Sequence, residues 1–381
     1  MRGIGIACAM LACAIFIVTT LVGAPTSAQQ IPPSLQGGTE TALRSNKNTW
    51  TVGVAGGLLD GTYMRLVDEM AKVLDDGDNM RVLPIVSYGA AGNLDDLLYL
   101  RGVDIAITQS DVFEYFRQDR KTPNLQDRVH YILRLPVSEL HILARAEIRT
   151  IEDLRGKKVN FGPAGSASSL TGTLVFQKLG VQVQQTLVDN ASALQKLRSG
   201  EVDALVRVIP KPVDFFNKVP ANSGLQLLPI PYAKSLSDTY ALAEFNAKDY
   251  PGLVPQGETV ETIAVPAVLA VFNWQPGSDR YRRVKRFVER LFANFDKLQQ
   301  PPFHPKWRDI NLAATVPGWK RYSIAEQELA AKTQTSDTGL ERDFQTFVRQ
   351  SGVGIRTEAD REALFQNFLS WRERQAGRRQ Q

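Results

Sequence analysis

Short apolar strand-like runs alternate with polar turns and amphipathic helix-like runs along most of this chain, and this alternation restricts the possible fold more than any other feature. The run "TWTVGVAGG" (49–57) precedes an amphipathic stretch at 61–77, and "VDIAITQSD" (103–111) leads into another helix-like stretch. Apolar residues recur at helical spacing in the stretch at 61–77. The order of strand, turn and helix predicts an α/β fold with a largely parallel sheet.

The pattern occurs in two blocks of the chain. A short unit of glycine, valine and aspartate precedes an apolar run in each block, as Gly-Val-Asp in "LRGVDIAI" (100–107) and as Gly-Glu-Val-Asp in "SGEVDALV" (199–206). The rest of the two blocks does not align, which indicates two similar α/β lobes rather than a tandem repeat. The chain has 381 residues, of which 43% are hydrophobic, and is long enough for two or three domains.

The first 28 residues have the layout of a secretory signal peptide. Arg2 supplies one positive charge, a charge-free apolar run follows, and small residues lead to an expected cleavage site after Ala28. An uncleaved membrane anchor is the alternative, because the apolar run is nearly long enough to span a bilayer. Both cysteines of the chain, Cys8 and Cys13, lie in this segment. Cleavage would therefore release a cysteine-free, exported protein, which we expect to be periplasmic.

The composition shifts along the chain suggest further boundaries. The expected segments are a signal peptide (1–28), a linker (29–48), the first part of lobe 1 (49–143), lobe 2 (144–266), a return to lobe 1 (267–322) and a C-terminal helical extension (323–381). Within the extension, helical patterns occur at 324–331, 340–349 and 358–374.

Sequence signatures of catalysis and of nucleic-acid binding are missing. The three histidines, His130, His141 and His304, have no His or Cys neighbour at metal-ligand spacing. No Gly-X-Ser-X-Gly elbow is followed by a plausible histidine, and no phosphate-binding P-loop motif occurs. The net charge of +5 is small and scattered, unlike a nucleic-acid-binding surface. These patterns predict a protein that is not an enzyme and holds no metal or cofactor.

Two small-residue loops precede helix-like stretches, one in each block. They are "SYGAAGNL" (87–94) and "NFGPAGSASSLTG" (160–172). The start of a helix carries a partial positive charge and free N–H donors, so such a loop can hold a carboxylate, phosphate or sulfonate. A plain N-cap serine on a tight turn is the alternative for the second loop. Together the two loops predict an anion-binding cleft between the lobes.

Several longer fragments, in order from about residue 50 to 322, resemble the TAXI family of solute receptors. The fragments include "VGVAGGLLDGTYMRLVDEMAKVL", "SYGAAGNLDDLLYLRGVDIAITQSD", "HILARAEIRTIEDLRGKKVNFGPAGSASSLTG", "LRSGEVDAL" and "VPGWKRY". TAXI receptors are the extracytoplasmic components of one class of TRAP transporters. The resemblance implies a two-lobe, type II periplasmic-binding-protein fold with a hinge, whose lobes close on a small solute and deliver it to an integral membrane permease.

The resemblance also implies which residues form the cleft. By position they are Gly56, Gly57 and Tyr63 of the first turn, Ser87, Tyr88, Gly89 and Asn93 of the second, Gln109 and Ser110 of the third, and Gly162, Gly165, Ser166 and Ser168 of the second lobe. Asp111 is expected to cap the helix that follows the third turn. The hinge is expected in two crossing segments, near 142–147 and 264–270.

Arg207 departs from the family pattern, which has small residues after the "GEVDA" strand. It lies at the expected C-terminal end of that strand, on the cleft edge, with Lys211 close by. A guanidinium in this position can bind a carboxylate through two parallel hydrogen bonds. A solvated or lobe–lobe arginine is the alternative.

Together these features predict an extracytoplasmic receptor, expected to be monomeric, for a small anionic organic solute such as an amino acid or a carboxylate. The expected partner is a TRAP permease, and no nucleic-acid partner is expected. The long C-terminal tail also leaves open a periplasmic sensing or scaffolding protein that uses the same fold without a transporter.

Overall fold

A computed structural model describes residues 39–77 and 79–351, together with Leu364, Asn367 and Phe368. The predicted signal peptide and most of the third tail helix lie outside these residues. None of the helices in the described residues is long and apolar enough to cross a membrane.

Strands and helices alternate through the described residues, as the sequence pattern predicts. The strands are β1 (Thr51–Gly57), β2 (Arg81–Val86), β3 (Ile105–Gln109), β4 (Val129–Arg145), β5 (Lys158–Asn160), β6 (Gln184–Thr186), β7 (Ala204–Ile209), β8 (Leu225–Leu227), β9 (Ala241–Asn246) and β10 (Thr259–Phe272). The helices are α1 (Glu40–Thr49), α2 (Thr62–Leu74), α3 (Ala90–Tyr99), α4 (Ser110–Gln118), α5 (Leu125–Arg128), α6 (Ala167–Lys178), α7 (Asn190–Ser199), α8 (Asp214–Asn217), α9 (Lys234–Ser237), α10 (Asp279–Leu298) and α11 (Ser323–Ser351).

The strands form one mixed sheet in the order β2-β1-β3-β10-β4-β7-β5-β6, with β8 paired to β4 and β9 paired to β10. Pairing is parallel between β1 and its neighbours β2 and β3, and between β5 and its neighbours β6 and β7. The long strands β4 and β10 pair antiparallel with each other and with β7 and β3. The α/β class is confirmed, but the expectation of a largely parallel sheet is wrong, because two long antiparallel strands join the two parallel halves.

The strands β4 and β10 cross from one half of the sheet to the other. In β4, Glu139 pairs with Ala264 of β10 and also with Ile209 of β7, so the partner strand changes at this residue. The register between β4 and β10 shifts next to Pro266, opposite the segment that contains Pro136. Since proline has no N–H for a ladder bond, both strands are least tied to each other here.

This crossing in β4 lies before the segment 142–147, where a hinge was expected, because residues 140–144 already pair with β7. In β10 the irregularity falls inside the expected segment 264–270. We call β1–β3 with the adjoining halves of β4 and β10 lobe 1, and β5–β9 with the other halves lobe 2. Boundaries at 143 and 266 stay a prediction.

Each lobe has its own core on the two faces of its part of the sheet. In lobe 1 the amphipathic helices α2 and α10 bury residues such as Leu66 and Phe292 on one face, and α3 and α4 cover the other face with Leu94 and Phe113. In lobe 2 α6 packs on one face and α7 on the other. Helices therefore cover both faces of the sheet in each lobe, as apolar parallel strands require.

The repeated glycine, valine and aspartate unit has the same structural role in both lobes. The backbone of Asp104 donates to Gly53 O at 3.0 Å, and its carboxylate accepts from Gly53 N at 3.2 Å. The backbone of Asp203 likewise donates to Lys158 O at 2.8 Å, and its carboxylate accepts from Lys158 N at 3.1 Å. Each aspartate thus fixes the register at the start of a neighbouring parallel strand.

Some elements differ from the sequence expectations. Residues 40–49, inside the expected linker, form α1, whose N-cap Thr39 accepts a hydrogen bond from Ala42 N. The tail patterns at 324–331 and 340–349 belong to one continuous helix, α11, and not to two. The short strand β6 and the partly exposed strand β9 were not predicted, because neither has an apolar run that stands out from a loop.

Candidate functional site

A narrow cleft lies between the lobes at the C-terminal ends of β1 and β7. Its lining residues come from both lobes: Gly56, Gly57, Leu58, Gly61, Thr62, Tyr63, Gly89, Ala90 and Ile107 of lobe 1, and Ser166, Ala167, Ser168, Asn190, Arg207, Val208 and Ile209 of lobe 2. The cavity has a volume of about 60 Å³. A cavity of this size holds only a few water molecules, so the lobes lie close together.

The two small-residue loops predicted to face each other are in contact. Gly92 N donates to Gly165 O across the lobes at 3.0 Å. A Cβ atom placed on Gly89 would lie 3.0 Å from Ser166 Cα, so glycine permits the close approach. The small residues that the sequence showed in both loops therefore allow two backbones to meet at the cleft.

The serines at the start of α6 bond mainly within lobe 2. Ser166 is the N-cap, and its Oγ accepts from Ser169 N at 3.1 Å. Ser168 Oγ accepts from Val208 N at 3.0 Å and so ties α6 to β7. Ser166 therefore acts as a plain N-cap, which was the alternative to an anion-binding residue. Ser166 and Ser168 nevertheless line the cleft, at the positive end of a 12-residue helix. Gly162, with φ of 68°, turns the chain beside these serines.

Arg207 is a buried cation at the cleft. Its side chain is 4% exposed, and its guanidinium lies over the ring of Phe215 at 4.7 Å from the centroid. Nη2 donates to Asp60 Oδ2 at 3.0 Å. Burial lowers the pKa of the Arg207 guanidinium, and the Asp60 carboxylate offsets part of this effect. Asp60 belongs to lobe 1, so Arg207 is also an arginine that pairs across the two lobes, which was the alternative to a solute-binding arginine.

Asp60 and Asn190 are cleft residues that the sequence reasoning missed. Asp60 follows β1 in "GGLLDG", where attention fell on the two glycines, and Asn190 begins α7. Asn190 Nδ2 donates to the same Oδ2 of Asp60, at 3.3 Å. An acidic side chain in the short loop after a strand that ends at the cleft is the signal that could have identified Asp60.

Ser87 and Asn93, predicted to bind ligand, make bonds inside lobe 1 and do not line the cleft. Asn93 is fully buried, and its amide nitrogen donates to Ile107 O at 2.6 Å and to Ala55 O at 3.4 Å. Ser87 donates to Asn93 Oδ1. Asn93 thus ties the ends of β1 and β3 together, because buried backbone carbonyls need donors.

The residues of the third turn lie in an interface behind the cleft. Gln109 is fully buried, and its Oε1 accepts from Thr171 Oγ1 of lobe 2 at 3.5 Å. Asp111 accepts from Val112 N at 2.8 Å, as expected for a residue in the first turn of α4. It also accepts from Tyr240 OH of lobe 2 at 3.2 Å. Burial raises the pKa of the Asp111 carboxyl. Ser110 Oγ is buried without a hydrogen-bond partner in the described residues.

The two predicted tyrosines have different surroundings. Tyr63 lines the cleft, but its hydroxyl bonds to Pro136 O and to Ser138 Oγ, both at 2.8 Å, next to the crossing of β4. Tyr88 is 68% exposed and packs against Gly92 and Gly165 at the outer rim. Tyr63 therefore connects the cleft to the strand that joins the lobes. In the described residues no group of His, Cys, Asp and Glu is placed to hold a metal ion.

A sequence profile of the NMT1-like family matches residues 54–318, which is more than half of the chain. The chain belongs to the NMT1-like family. The match begins in β1 and ends before α11, so this NMT1-like region holds both lobes and every residue that lines the cleft.

Solved structures similar to this NMT1-like chain include three solute-binding proteins. An ancestral arginine-binding protein bound to arginine has 18% identity and a TM-score of 0.38, over 66% of this chain and 96% of that chain. An amino acid ABC transporter substrate-binding protein from Streptococcus pneumoniae, bound to L-arginine, has 13% identity and a TM-score of 0.36, over 70% and 98%. A TctC solute-binding protein from Polaromonas, without ligand, has 16% identity and a TM-score of 0.34, over 65% and 88%. These TM-scores are too low to support an argument about the fold. The assignment of two lobes therefore depends on the strand order and on the separate hydrophobic cores described above.

Proposed function

We propose that this protein is an exported solute-binding receptor whose lobes close on a small anionic organic solute, an amino acid or a carboxylate. The single observation that carries the proposal is Arg207, a cation that is 4% exposed and lies at the junction of two lobes. A buried guanidinium requires an anionic partner, because an unpaired charge away from water is strongly unfavourable. A planar carboxylate matches its donor geometry.

The helix α6 adds a second favourable interaction for an anion. Its N-terminus lies in the cleft, with Ser166 and Ser168 on the lining. The partial positive charge of this helix end acts in the same direction as Arg207. Closure would be a hinge motion about β4 and β10, whose ladder is interrupted next to Pro266.

For delivery, we propose a TRAP-type permease as the membrane partner and the periplasm as the compartment. The order of TAXI-like fragments from 50 to 322 and the signal-peptide pattern of residues 1–28 support this proposal. Uptake of the identified solute would be compared in cells with and without a TRAP permease, and with and without this protein. Uptake that does not depend on either protein would contradict a transport role and favour a sensor or scaffold.

A thermal-shift screen of organic acids and amino acids would test solute binding. An anionic solute at 100 times its Kd should stabilise the protein by about 2.7 kcal/mol. The variant Arg207→Gln should lose this stabilisation. Arg155→Gln is the matched control, since Arg155 is an exposed arginine of lobe 2 that bonds to Gly180 O away from the cleft. Equal stabilisation of both variants would remove Arg207 from the solute site.

A further inference from the structure

We infer that Asp60 is a tethered competitor for the anion site, so that its carboxylate closes the empty cleft on Arg207 and an incoming anionic solute must displace it. The inference has two parts. The first, closure of the cleft by Asp60, concerns the protein alone, and the second, competition with a solute, rests on the proposed function.

The position of Asp60 in the chain suits this role. It lies in the short loop between β1 and α2, where Gly61 N donates to Leu58 O at 2.9 Å and closes a turn. The adjacent Leu59 is 77% exposed and Asp60 itself is 54% exposed, so the loop lies at the mouth of the cleft. The Asp60 side chain can therefore move into water without disturbing the core of lobe 1.

The contacts of Asp60 join the two lobes. One carboxylate oxygen, Oδ2, accepts from Arg207 at 3.0 Å and from Asn190 at 3.3 Å, and both donors belong to lobe 2. A carboxylate of the protein thus occupies the donors that a carboxylate of a solute would use. The same two donors also lie on the lining of the cleft.

The two occupants compete for the same donors. Asp60 already accepts from Arg207 Nη2 and Asn190 Nδ2, and the cleft around this pair is narrow. A solute carboxylate that binds these donors must displace Asp60 from them. Because Arg207 is buried and Asp60 is half-exposed, loss of the pair leaves the arginine, rather than the aspartate, without hydration. A solute that supplies a carboxylate restores that partner.

Other bonds between the lobes remain when Asp60 is removed. They are Gly92 N to Gly165 O, Thr171 to Gln109, and Tyr240 to Asp111. Asp60 therefore shifts the equilibrium between closed and open forms rather than acting as the sole contact.

The Gly92 amide gives a probe of closure that needs no ligand. Gly92 lies in the first turn of α3, where amides have no acceptor within the helix, and its hydrogen bond is to Gly165 of the other lobe. In the ligand-free protein, Asp60→Asn should accelerate hydrogen exchange at Gly92 by about tenfold, because the neutral amide no longer offsets the charge of the buried Arg207 guanidinium across the lobes. Asp68→Asn is the matched control, because Asp68 pairs with Lys72 on the same helix of lobe 1. Unchanged exchange in Asp60→Asn, or equal acceleration in both variants, would overturn the closure.

Titration with succinate and with L-glutamate tests the competition. If either anion binds the wild-type protein, Asp60→Asn should bind it at least about tenfold more tightly, because the competing carboxylate is gone. Equal or weaker binding in the variant would overturn the competition and make Asp60 a bystander or a solute contact. If no organic acid binds either protein while exchange at Gly92 still accelerates, the proposed function fails and the closure stands.

Discussion

Gly89 of lobe 1 lies against Ser166 of lobe 2, with space for a hydrogen but not for a methyl group at its Cα. A Cβ atom at Gly89 would lie 3.0 Å from Ser166 Cα and 3.4 Å from Ala167 N. The two neighbours are backbone atoms of a helix start and have little freedom to move. The closed arrangement of the lobes therefore depends on glycine at this position.

Gly89→Ala should hold the lobes apart. The radius of gyration from small-angle scattering should increase relative to the wild-type protein, and hydrogen exchange at Gly92 should accelerate. Gly89 has a φ of 114°, so alanine also brings backbone strain of about 1 kcal/mol. Gly102→Ala is the matched control, because Gly102 has a φ of 96° with no atom within 4 Å of a Cβ. An identical change in scattering for both variants would show that strain, and not the contact, opens the lobes.

Asp104→Asn should destabilise the protein more than Asp203→Asn. Both aspartates hold a neighbouring strand, but Asp104 is 2% exposed and also lies 3.2 Å from Arg283 Nη2. We expect a loss of about 3 kcal/mol for Asp104→Asn and about 1 kcal/mol for Asp203→Asn in urea unfolding. Equal losses would contradict a role for the arginine contact.

Glu69→Gln should loosen the segment that follows α10. The buried Glu69 carboxylate accepts from Trp307 Nε1 at 2.8 Å and from His304 N at 2.9 Å. Both bonds are to Oε2, and Oε1 accepts from Arg65 Nε at 3.1 Å. An amide removes the negative charge and presents an NH2 group to one side of this set of donors, so the free energy of unfolding should fall by about 2–4 kcal/mol. Glu289→Gln, a half-exposed residue paired with Lys285, should change this free energy by less than about 0.5 kcal/mol. A loss for Glu69→Gln as small as this control would show that the bonds are dispensable.

His141 should make stability depend on acid pH. It stacks on Phe216 and Phe245, bonds to Tyr250 OH at 2.7 Å, and burial lowers its pKa to about 3. The unfolded chain binds a proton at its ordinary pKa near 6.5, so the stabilising effect is full above that pH.

As the pH falls from about 6.5 towards 3, the unfolded state takes up the proton first and stability decreases. Each pKa unit of separation corresponds to about 1.4 kcal/mol. In His141→Phe this part of the pH dependence should vanish. The test is to measure the free energy of unfolding of the wild-type protein and of the variant from pH 7 to 4 and to compare the two curves. Parallel curves would contradict the burial of a neutral imidazole.

The sequence pattern predicted the local elements well and the contacts between them unevenly. The alternation of strands and helices is confirmed, because each depends on periodicity over a few neighbours. The length of β4 is not evident from the sequence, since its N-terminal part, "VHYILRLPVS", follows no simple alternation and its identity as a strand depends on pairing with β10. The mixed direction of the sheet likewise comes from pairings between distant segments.

At the cleft, residue type predicted only some of the residues that lie there. Small residues marked the loops that meet at Gly89 and Ser166. Arg207 was expected at the end of its strand, and it lies inside β7, two residues before Ile209. Asn93 has the residue type of a ligand contact, yet it bonds to strand carbonyls inside lobe 1. Such a difference depends on which way a side chain points, and residue type does not encode that.

By itself the sequence determined an α/β chain with two similar blocks, glycine and serine loops at the helix starts, and a cation near the end of β7, since all of these follow from local spacing and residue type. Only the tertiary structure decided that Asp60, 147 positions away, lies on that cation. The reason is physical: the pair exists where two separately folded lobes meet, and their meeting is set by the crossing of β4 and β10 rather than by any local pattern.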